Sequence, residues 1–302
     1  MTKANTKEVK TIKAPPRRTQ SSRQAAQGKG ETPSRVAVDI GLRDAGGGND
    51  TQFVSSVARA LAVLNAFLPK GGRLGNTELA ERTGLTKPTV SRLTYTLAQC
   101  GYLSFNPRYR VYELGPKASV LGHVALSSSD VRRVARPLMQ ELAQHSNFNV
   151  GLGTRDKHLM VYTDAFEGDG IIGLRLFAGS RLPILSSAMG RAYLVGLREE
   201  ERDVLLNELR PRFGDEWSSL MKALEQSIQD FNAYGFCVSL GEWQKDINGA
   251  AAPIRSPGGG RVYAVNLGGP AYLLPEKLLR GELGERIAKL AHTVEASISI
   301  DG

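Results

Sequence analysis

The stretch Asn76–Leu103, NTELAERTGLTKPTVSRLTYTLAQCGYL, decides the fold of the N-terminal part of the chain. Its apolar side chains recur at helical spacing in two blocks, which comprise Leu79, Ala80, Leu85, Val90, Leu93 and Leu97. Each block gives one helix a single buried stripe. The stretch therefore predicts two short helices joined by a turn, a helix-turn-helix.

The ends of these two helices carry residues that suit helix termini. Asn76 or Thr77 can cap the first helix, and Gly84 supplies the left-handed residue that commonly ends one. Thr86 is placed to cap the second helix. Pro88 lies in its first turn, where a missing N–H costs nothing.

The second helix is polar and basic on the side opposite its apolar stripe. Its candidate DNA contacts are Thr86, Lys87, Pro88, Thr89, Ser91, Arg92 and Tyr95. An arginine can pair with guanine edges or phosphate, and hydroxyl groups can bond to bases or to the DNA backbone. We therefore predict that this helix enters a DNA groove.

Flanking segments complete a winged domain. A helix is predicted over Phe53–Leu68, with Arg59 pointing away from an inward stripe of Val54, Val57, Ala58, Leu61, Leu64 and Leu68. Downstream, Tyr102–Phe105 and Arg110–Leu114 alternate like strands around a turn. The hairpin tip and its edge add the candidate DNA contacts Arg108, Tyr109 and Arg110. A helix-turn-helix can also be an ordinary packing unit or a protein-binding module, but the basic hairpin favours DNA.

Composition agrees with a two-domain protein that acts on DNA. The chain has 302 residues, 41% of them hydrophobic, which suffices for a small domain and a larger one with its own core. The net charge is +9, and residues 1–50 hold ten Lys and Arg against five Asp and Glu. We expect residues 1–50 to be a disordered basic tail, which either adds salt-sensitive attraction to DNA or merely solubilises the chain.

Other sequence features restrict the class of protein. No apolar run approaches a membrane span and no signal peptide is evident, so a cytoplasmic protein is expected. Cys100 and Cys237 form no metal spacing and are expected to be buried thiols in a reducing compartment. The four histidines are scattered and no nucleophile or phosphate-binding motif occurs, so we expect no metal, no cofactor and no enzyme.

The remaining chain alternates between helical and strand-like patterns. Helices are predicted at Lys117–Ser128, Asp130–His145, Ser187–Leu197, Glu199–Glu208, Trp217–Tyr234 and Pro275–Ile300, with Asp130 as a cap. Strands are predicted at Val150–Thr154, His158–Thr163, Ile171–Phe177, Phe236–Ser239, Gly249–Ile254 and Arg261–Leu267. The fold class is therefore α+β, with domains at 51–115 (winged helix-turn-helix), 116–128 (linker helix) and 129–302.

Motifs along residues 53–300 resemble the IclR-type (isocitrate lyase regulator) bacterial transcription factors. They are SVARAL (56–61), ELA (78–80), GL (84–85), KPTV (87–90), RL (92–93), GYL (101–103), YELGP (112–116), ARP (135–137), RLP (181–183), AMGRA (188–192), YGF (234–236), AAP (251–253) and GP (269–270). The resemblance implies a GAF-like domain that binds a small organic acid and joins subunits into homodimers or homotetramers. It also implies a repressor or activator that binds double-stranded operator DNA and controls a metabolic operon, of a catabolic kind.

The resemblance also assigns candidate effector contacts. In the family, the positions of Ala188 and Met189 lie beside the ligand through their backbone, and those of Leu174 and Leu182 form an apolar wall. Polar contact positions correspond to Ser239, Gly249, Asn266 and Gly268. These four residues depart from the family pattern, in which an acid, a thiol and hydroxyls occur. We therefore expect a roomier pocket and an aromatic acid as the effector.

Two arginines are weaker candidates for binding the effector. Arg175 and Arg181 can pair with a carboxylate, but an exposed arginine is more often only solvated. The open alternatives to a ligand-responsive regulator are a winged-helix protein-interaction module and an enzyme that acts on the small molecule.

Overall fold

A computed structural model of the protein describes residues 52–68, 72–127, 129–168, 174, 176–257 and 260–300. The predicted basic tail, residues 1–50, lies outside the described residues. Within the described part, no helix combines the length and the apolar character needed to cross a lipid bilayer.

Three helices and a hairpin form the N-terminal winged helix-turn-helix. Their bounds are α1 Ser55–Asn65, α2 Asn76–Thr83, α3 Lys87–Gln99, β1 Leu103–Asn106 and β2 Val111–Leu114. Leu79, Val90 and Leu103 are buried in one core and come from α2, α3 and β1. Gly84 ends α2 at φ +69° and donates its N–H to the Ala80 carbonyl at 2.9 Å, as the sequence predicts.

The predicted inward face of α1 is wrong at most of its residues, although Leu64 packs against the core as predicted. Val54, Val57 and Leu61 are each more than half exposed, whereas Val63 and Phe67 are completely buried. This helix is apolar on two sides, so periodicity finds the stripes but does not show which one faces the core. One apolar face of α1 is left on the surface.

Two predicted helix caps differ from the structure, and a third, Thr86, has the predicted position but no capping hydrogen bond from its side chain. The N-cap of α2 is Gly75, whose N–H donates to the Glu78 carboxylate at 2.9 Å, so neither Asn76 nor Thr77 caps it. Thr86 stands at the N-cap of α3, but its hydroxyl bonds to the hydroxyl of Thr89 at 2.9 Å and not to a backbone N–H.

The cap of the long helix α5, Asp130–Ser146, also lies one residue from its predicted position. The N-cap is Ser129, whose Oγ accepts the Arg132 N–H at 3.3 Å, and Asp130 is the first helical residue. Between this cap and the winged domain, α4 spans Pro116–Ser127 and exposes Val120, Leu121 and Val124.

The C-terminal region is built on one antiparallel sheet of six strands in the order β5-β4-β3-β8-β7-β6. The strands are β3 Asn149–Asp156, β4 Leu159–Phe166, β5 Arg181–Pro183, β6 Cys237–Leu240, β7 Ile247–Arg255 and β8 Val262–Pro270. Strands β7 and β8 pair along their full length, from Ile247 opposite Pro270 to Arg255 opposite Val262. The predicted α+β class is therefore confirmed.

Helices cover both faces of this sheet. Their bounds are α6 Ala188–Gly196, α7 Glu199–Leu209, α8 Trp217–Tyr234, α9 Glu276–Leu278 and α10 Gly284–Ile300, with a π-helical turn at Leu279–Leu283. Side chains of α5 and α10 form one apolar cluster with the sheet, and those of α6, α7 and α8 form a second cluster on the opposite face. The predicted C-terminal helix is thus interrupted at the π turn.

The predicted strand Ile171–Phe177 is wrong at the residues that the structure describes. Leu174, Leu176 and Phe177 lie outside any strand, and the edge strand is β5, which the sequence did not predict. The Leu176 carbonyl accepts a hydrogen bond from the Asn149 side chain at 2.9 Å. Its backbone is therefore bound to a side chain and not to a neighbouring strand.

Candidate functional site

The surface of α3 opposite the core is exposed where the sequence places DNA contacts. Thr86, Lys87, Pro88, Ser91, Arg92 and Tyr95 are exposed, and Thr89 is half-buried. Val90, Thr94 and Leu97 hold the other side of the helix in the core. Tyr95 is 66% exposed, which is unusual for an aromatic side chain and typical of a surface that meets a partner.

The hairpin after α3 carries a basic tip with a defined shape. The Asn106 side chain accepts the N–H groups of Arg108 and Tyr109, at 3.1 and 3.3 Å, which fixes the turn. Arg110 follows in the left-handed conformation, at φ +53°. The Arg108 guanidinium lies 5.5 Å from the centre of the Tyr109 ring. All three predicted wing residues are exposed, so the tip can contact phosphates.

The helix and the hairpin are joined by a common core. Leu97 of α3 and Leu103 of β1 both belong to the apolar cluster of the winged domain.

Arg59 is exposed on α1, also as predicted. Cys100, at the end of α3, is exposed, so the expectation of a buried thiol is wrong there, whereas Cys237 is buried.

A pocket in the C-terminal region brings together all eight predicted effector positions. They are Leu174, Leu182, Ala188, Met189, Ser239, Gly249, Asn266 and Gly268. Sequence reasoning missed five further lining residues, which are Leu176, Ser187, Trp243, Ile247 and Asn248. The pocket lies between the first turn of α6, strands β6, β7 and β8, and the segment that precedes β5.

The first turn of α6 presents backbone donors to the pocket. Ser187 caps the helix: its Oγ accepts the Gly190 N–H at 3.1 Å and donates to the Pro183 carbonyl at 2.6 Å. Ala188 and Met189 are the first two residues of the helix and line the pocket, and the first N–H groups of a helix have no acceptor within the helix itself. The N-terminus of a helix carries a partial positive charge, so these two groups suit an anion.

Gly190 explains why this turn can lie so close to the neighbouring chain. A Cβ at this position would lie 2.1 Å from the Ile184 carbonyl oxygen. All nine residues of α6 are buried. The position of the backbone donors therefore depends on a glycine.

A third donor comes from the side chain of Asn266 on β8. The Tyr162 hydroxyl donates to Asn266 Oδ1 at 3.0 Å, and burial raises the pKa of Tyr162 well above its usual range, so the hydroxyl keeps its proton. The Asn266 amide nitrogen is therefore the end left to bind a ligand. It lies 4.0 Å from the point where a Cβ on Gly268 would stand.

Two other polar side chains of the pocket each donate a hydrogen bond to a backbone carbonyl. Ser239 Oγ donates to the Ser186 carbonyl at 3.1 Å, and Asn248 Nδ2 donates to the Leu274 carbonyl at 3.0 Å. None of the described lining residues is charged. Recognition of an anion by these described residues would therefore rely on neutral donors, such as the N–H groups at the start of α6 and the Asn266 amide.

Leu174 limits the free space in the pocket. The pocket holds about 330 Å³ of empty space including its mouth. Leu174 approaches to 3.6 Å from the position of a Cβ on Gly268 and so fills the room that this glycine leaves. Of the two arginines considered as ion-pair partners, Arg181 is not among the described lining residues and pairs with Asp156 at 3.1 Å, and Arg175 lies outside the described residues.

Comparison with protein families matches both parts of the chain. The model of the IclR helix-turn-helix domain covers residues 56–107, and that of the bacterial transcriptional regulator IclR C-terminal region covers residues 123–296, more than half of the chain. This chain belongs to the IclR family. The family assignment makes the protein a ligand-responsive, DNA-binding transcriptional regulator and not an enzyme.

Individual relatives agree with this IclR-family assignment. The HTH-type transcriptional regulator TsaQ1/TsaQ2 of Comamonas testosteroni is 32% identical over 250 residues, which cover 82% of this chain and 90% of the relative. The crystal structure of an IclR family transcriptional regulator from Brucella abortus is 39% identical, with a TM-score of 0.66, and the match covers 85% of this chain and 98% of that one.

A more distant solved structure is an IclR homologue from Microbacterium hydrocarbonoxydans complexed with 4-hydroxybenzoate. It is 21% identical, with a TM-score of 0.64, and the match covers 81% of this chain and 99% of that one. At this identity the likeness extends to the fold alone.

Proposed function

We propose that this IclR-family regulator controls a catabolic operon and responds to a small organic acid bound in the pocket beside α6. The observation that carries the proposal is that Ala188, Met189 and Asn266 line one pocket, none of whose described lining residues is charged, so two N–H groups at a helix start and a side-chain amide can bind the same anion. A carboxylate matches such donors, because charge-assisted hydrogen bonds to backbone N–H groups are strong.

The sharper form of the proposal is an aromatic acid. Leu174, Leu176, Leu182 and Trp243 offer an apolar wall on which a ring can pack. The distant IclR homologue was crystallised with 4-hydroxybenzoate. A ring of that size would contact Leu174 and Trp243 in this pocket. Equal affinity for acetate and 4-hydroxybenzoate would contradict the aromatic form.

For DNA, we propose that α3 reads the operator and the wing holds the backbone. In this division, Arg92 and its exposed neighbours on α3 reach base edges, while Arg59, Arg108 and Arg110 contact phosphates. We assign residues 51–115 to DNA binding, 116–128 to the linker and 129–302 to effector binding and oligomerisation. A regulator that acts on bacterial DNA in this way works in the cytoplasm.

We further propose a homodimer or homotetramer. The exposed apolar faces of α1, at Val54, Val57 and Leu61, and of α4, at Val120 and Val124, provide surfaces on which two copies can pair. Size-exclusion chromatography with light scattering is expected to give a dimer or a tetramer at micromolar concentration. A monomer under these conditions would count against a dimer that binds two operator half-sites.

The central experiment measures binding of the protein to a fluorescent duplex from its own upstream region. We expect specific binding that weakens steeply with salt, changes when one organic acid is added, and falls about tenfold or more in Arg92→Ala, because a good base contact contributes about 1–3 kcal/mol. Arg198→Ala is the matched control, since it removes an exposed arginine next to α7. Equal losses in both variants would show that only net charge matters and would refute the assignment of α3.

A further inference from the structure

The loop between β6 and β7, residues 241–246, carries Trp243 into the wall of the effector pocket. Trp243 is half-buried and packs in the apolar cluster that contains Leu182 and Met189. It is the largest side chain among the described residues that line the pocket. A change in its position therefore changes the space for a ligand more than a change at any other lining residue.

The ends of this loop are fixed by the backbone. Gly241 donates its N–H to the Ile247 carbonyl at 3.0 Å, in the left-handed conformation at φ +68°. The Asp246 carbonyl accepts the Ala271 N–H at 2.7 Å. These bonds set where the loop leaves and rejoins the sheet, but they do not involve Trp243 or the residue before it.

The middle of the loop is fixed by an ion pair with α6. Glu242, immediately before Trp243, accepts a hydrogen bond from the guanidinium of Arg191. Arg191 lies one turn after Ala188, in the helix whose first turn faces the pocket. Its guanidinium also donates to the Ala223 carbonyl of α8 at 3.3 Å. A single side chain thus connects the loop to the two helices packed beneath it.

Burying the charge of Arg191 costs desolvation free energy, so stability alone is a poor explanation for its presence here. Its side chain is 2% exposed, and its Nε is buried with no acceptor among the described residues. Burial lowers the pKa of Arg191 to about 10, so it still carries its charge at neutral pH. Apolar residues of similar volume often replace buried ion pairs without loss of stability. A fixed geometry is the property that such residues would not supply.

We propose that Trp243 sets the size limit of the effector and that the pair Arg191–Glu242 positions it. The inference deepens the proposed function, because it rests on the pocket beside α6 as the effector site. In this arrangement Arg191 and Glu242 act through Trp243 and not through the ligand. Opening of the pair releases Trp243 from the wall and widens the pocket for a ring-containing acid.

The positioning role can be tested without a ligand. The chain has two tryptophans, so in the full-length variant Trp217→Phe the emission comes from Trp243 alone. Adding Glu242→Gln to this background is expected to raise the acrylamide quenching constant by about twofold or more and to shift the emission to the red, because the loop populates open states. Glu242 is 40% exposed, so this change leaves the core intact.

A matched variant separates the pair from a general effect of charge. Glu201→Gln breaks the exposed pair with Arg198, which lies at 2.6 Å, and is expected to leave the quenching of Trp243 unchanged. Arg191→Lys, which keeps the charge but shortens the reach, is expected to behave like Glu242→Gln. Identical quenching in Glu242→Gln and its Trp217→Phe parent would overturn the positioning role.

The size limit is tested by thermal stabilisation with acetate and with 4-hydroxybenzoate. The ratio of affinity for 4-hydroxybenzoate to affinity for acetate is expected to be about tenfold higher in Trp243→Ala than in Trp243→Phe. A change in pocket volume alters discrimination between two ligands by about this factor. An unchanged ratio would overturn the size limit. Failure of both acids to stabilise any variant would overturn the organic acid and the size limit together, while increased quenching in Glu242→Gln would still support the positioning role.

Discussion

Helices α3 and α6 each present their first turn to a candidate ligand, but they do so with different atoms. In α3 the side chains that face outward are exposed, and its buried side only holds the helix in place. In α6 all nine residues are buried, and Ala188 and Met189, whose N–H groups begin the helix, line the pocket. Side chains are thus proposed to read DNA, whereas the backbone is proposed to bind the effector.

This difference predicts how each surface tolerates substitution. An exposed side chain such as Arg92 or Tyr95 can change without disturbing the core, so its loss alters binding and leaves stability almost intact. The backbone of α6 cannot be substituted directly. Its position is altered only through the residues that pack against it, so changes there affect folding and binding together.

The largest effect is expected from Gly190→Ala in α6. The added Cβ would meet the Ile184 backbone at 2.1 Å, so the turn that carries the pocket donors must move. We expect a loss of about 3 kcal/mol in the free energy of unfolding, measured by urea denaturation, because overpacking against backbone is poorly relieved.

Gly122→Ala is the matched control for this change, since Gly122 also lies within a helix, α4, but has nothing within 4 Å of an added Cβ. The control is expected to stabilise the protein by about 0.5–1 kcal/mol through helix propensity. Equal effects at the two glycines would contradict the claim that α6 is held by close backbone packing.

A smaller and more selective effect is expected from Gly268→Ala in the pocket. The new Cβ would lie 3.5 Å from the Asn248 carbonyl and 3.6 Å from Leu174, which are ordinary contacts, so the fold is expected to persist. The methyl group occupies space that a ligand needs. We expect about tenfold weaker binding of any organic acid that binds the parent protein, measured by calorimetry.

Operator affinity supplies the control for Gly268→Ala. Without added acid, the variant is expected to bind the duplex as the parent does, because the change lies far along the chain from α3. Arg92→Ala is expected to show the reverse pattern, with weak DNA binding and normal acid binding. Loss of both properties in either variant would show that the two surfaces are not separable.

The contrast between α3 and α6 also shows what the sequence could predict. The exposed face of α3 follows from the stripe of Val90, Leu93 and Leu97, because the side opposite a buried stripe must face outward. The pocket residues were found only through the family resemblance, since they are scattered from Leu174 to Gly268. No local pattern reports which backbone N–H groups a fold leaves without an acceptor.

The face of α1 and the missed pocket residues could not be predicted for a similar reason, since both depend on packing between distant segments. In α1 two apolar faces compete, so Val57 was expected inside although it is exposed. Trp243 and Asn248 were missed because their roles depend on how the β6–β7 loop packs over α6. Leu174 lies 3.6 Å from the point where a Cβ on Gly268 would stand, so the free space beside this glycine depends on a residue far from it in sequence. Sequence patterns report which side of an element is apolar, whereas pocket volume depends on contacts between distant segments.

The smallest effect is expected from Arg108→Ala at the wing tip. Arg108 is exposed and stacks near Tyr109, so it can contact phosphate without reading a base. Loss of one phosphate contact is expected to weaken operator binding by about threefold and to reduce the slope of log affinity against log salt by about one. Arg155→Ala removes an exposed arginine beside the β3–β4 turn and should leave the slope unchanged. A tenfold loss confined to the operator sequence would instead mean that the wing reads bases, and the division of roles between α3 and the hairpin would have to be redrawn.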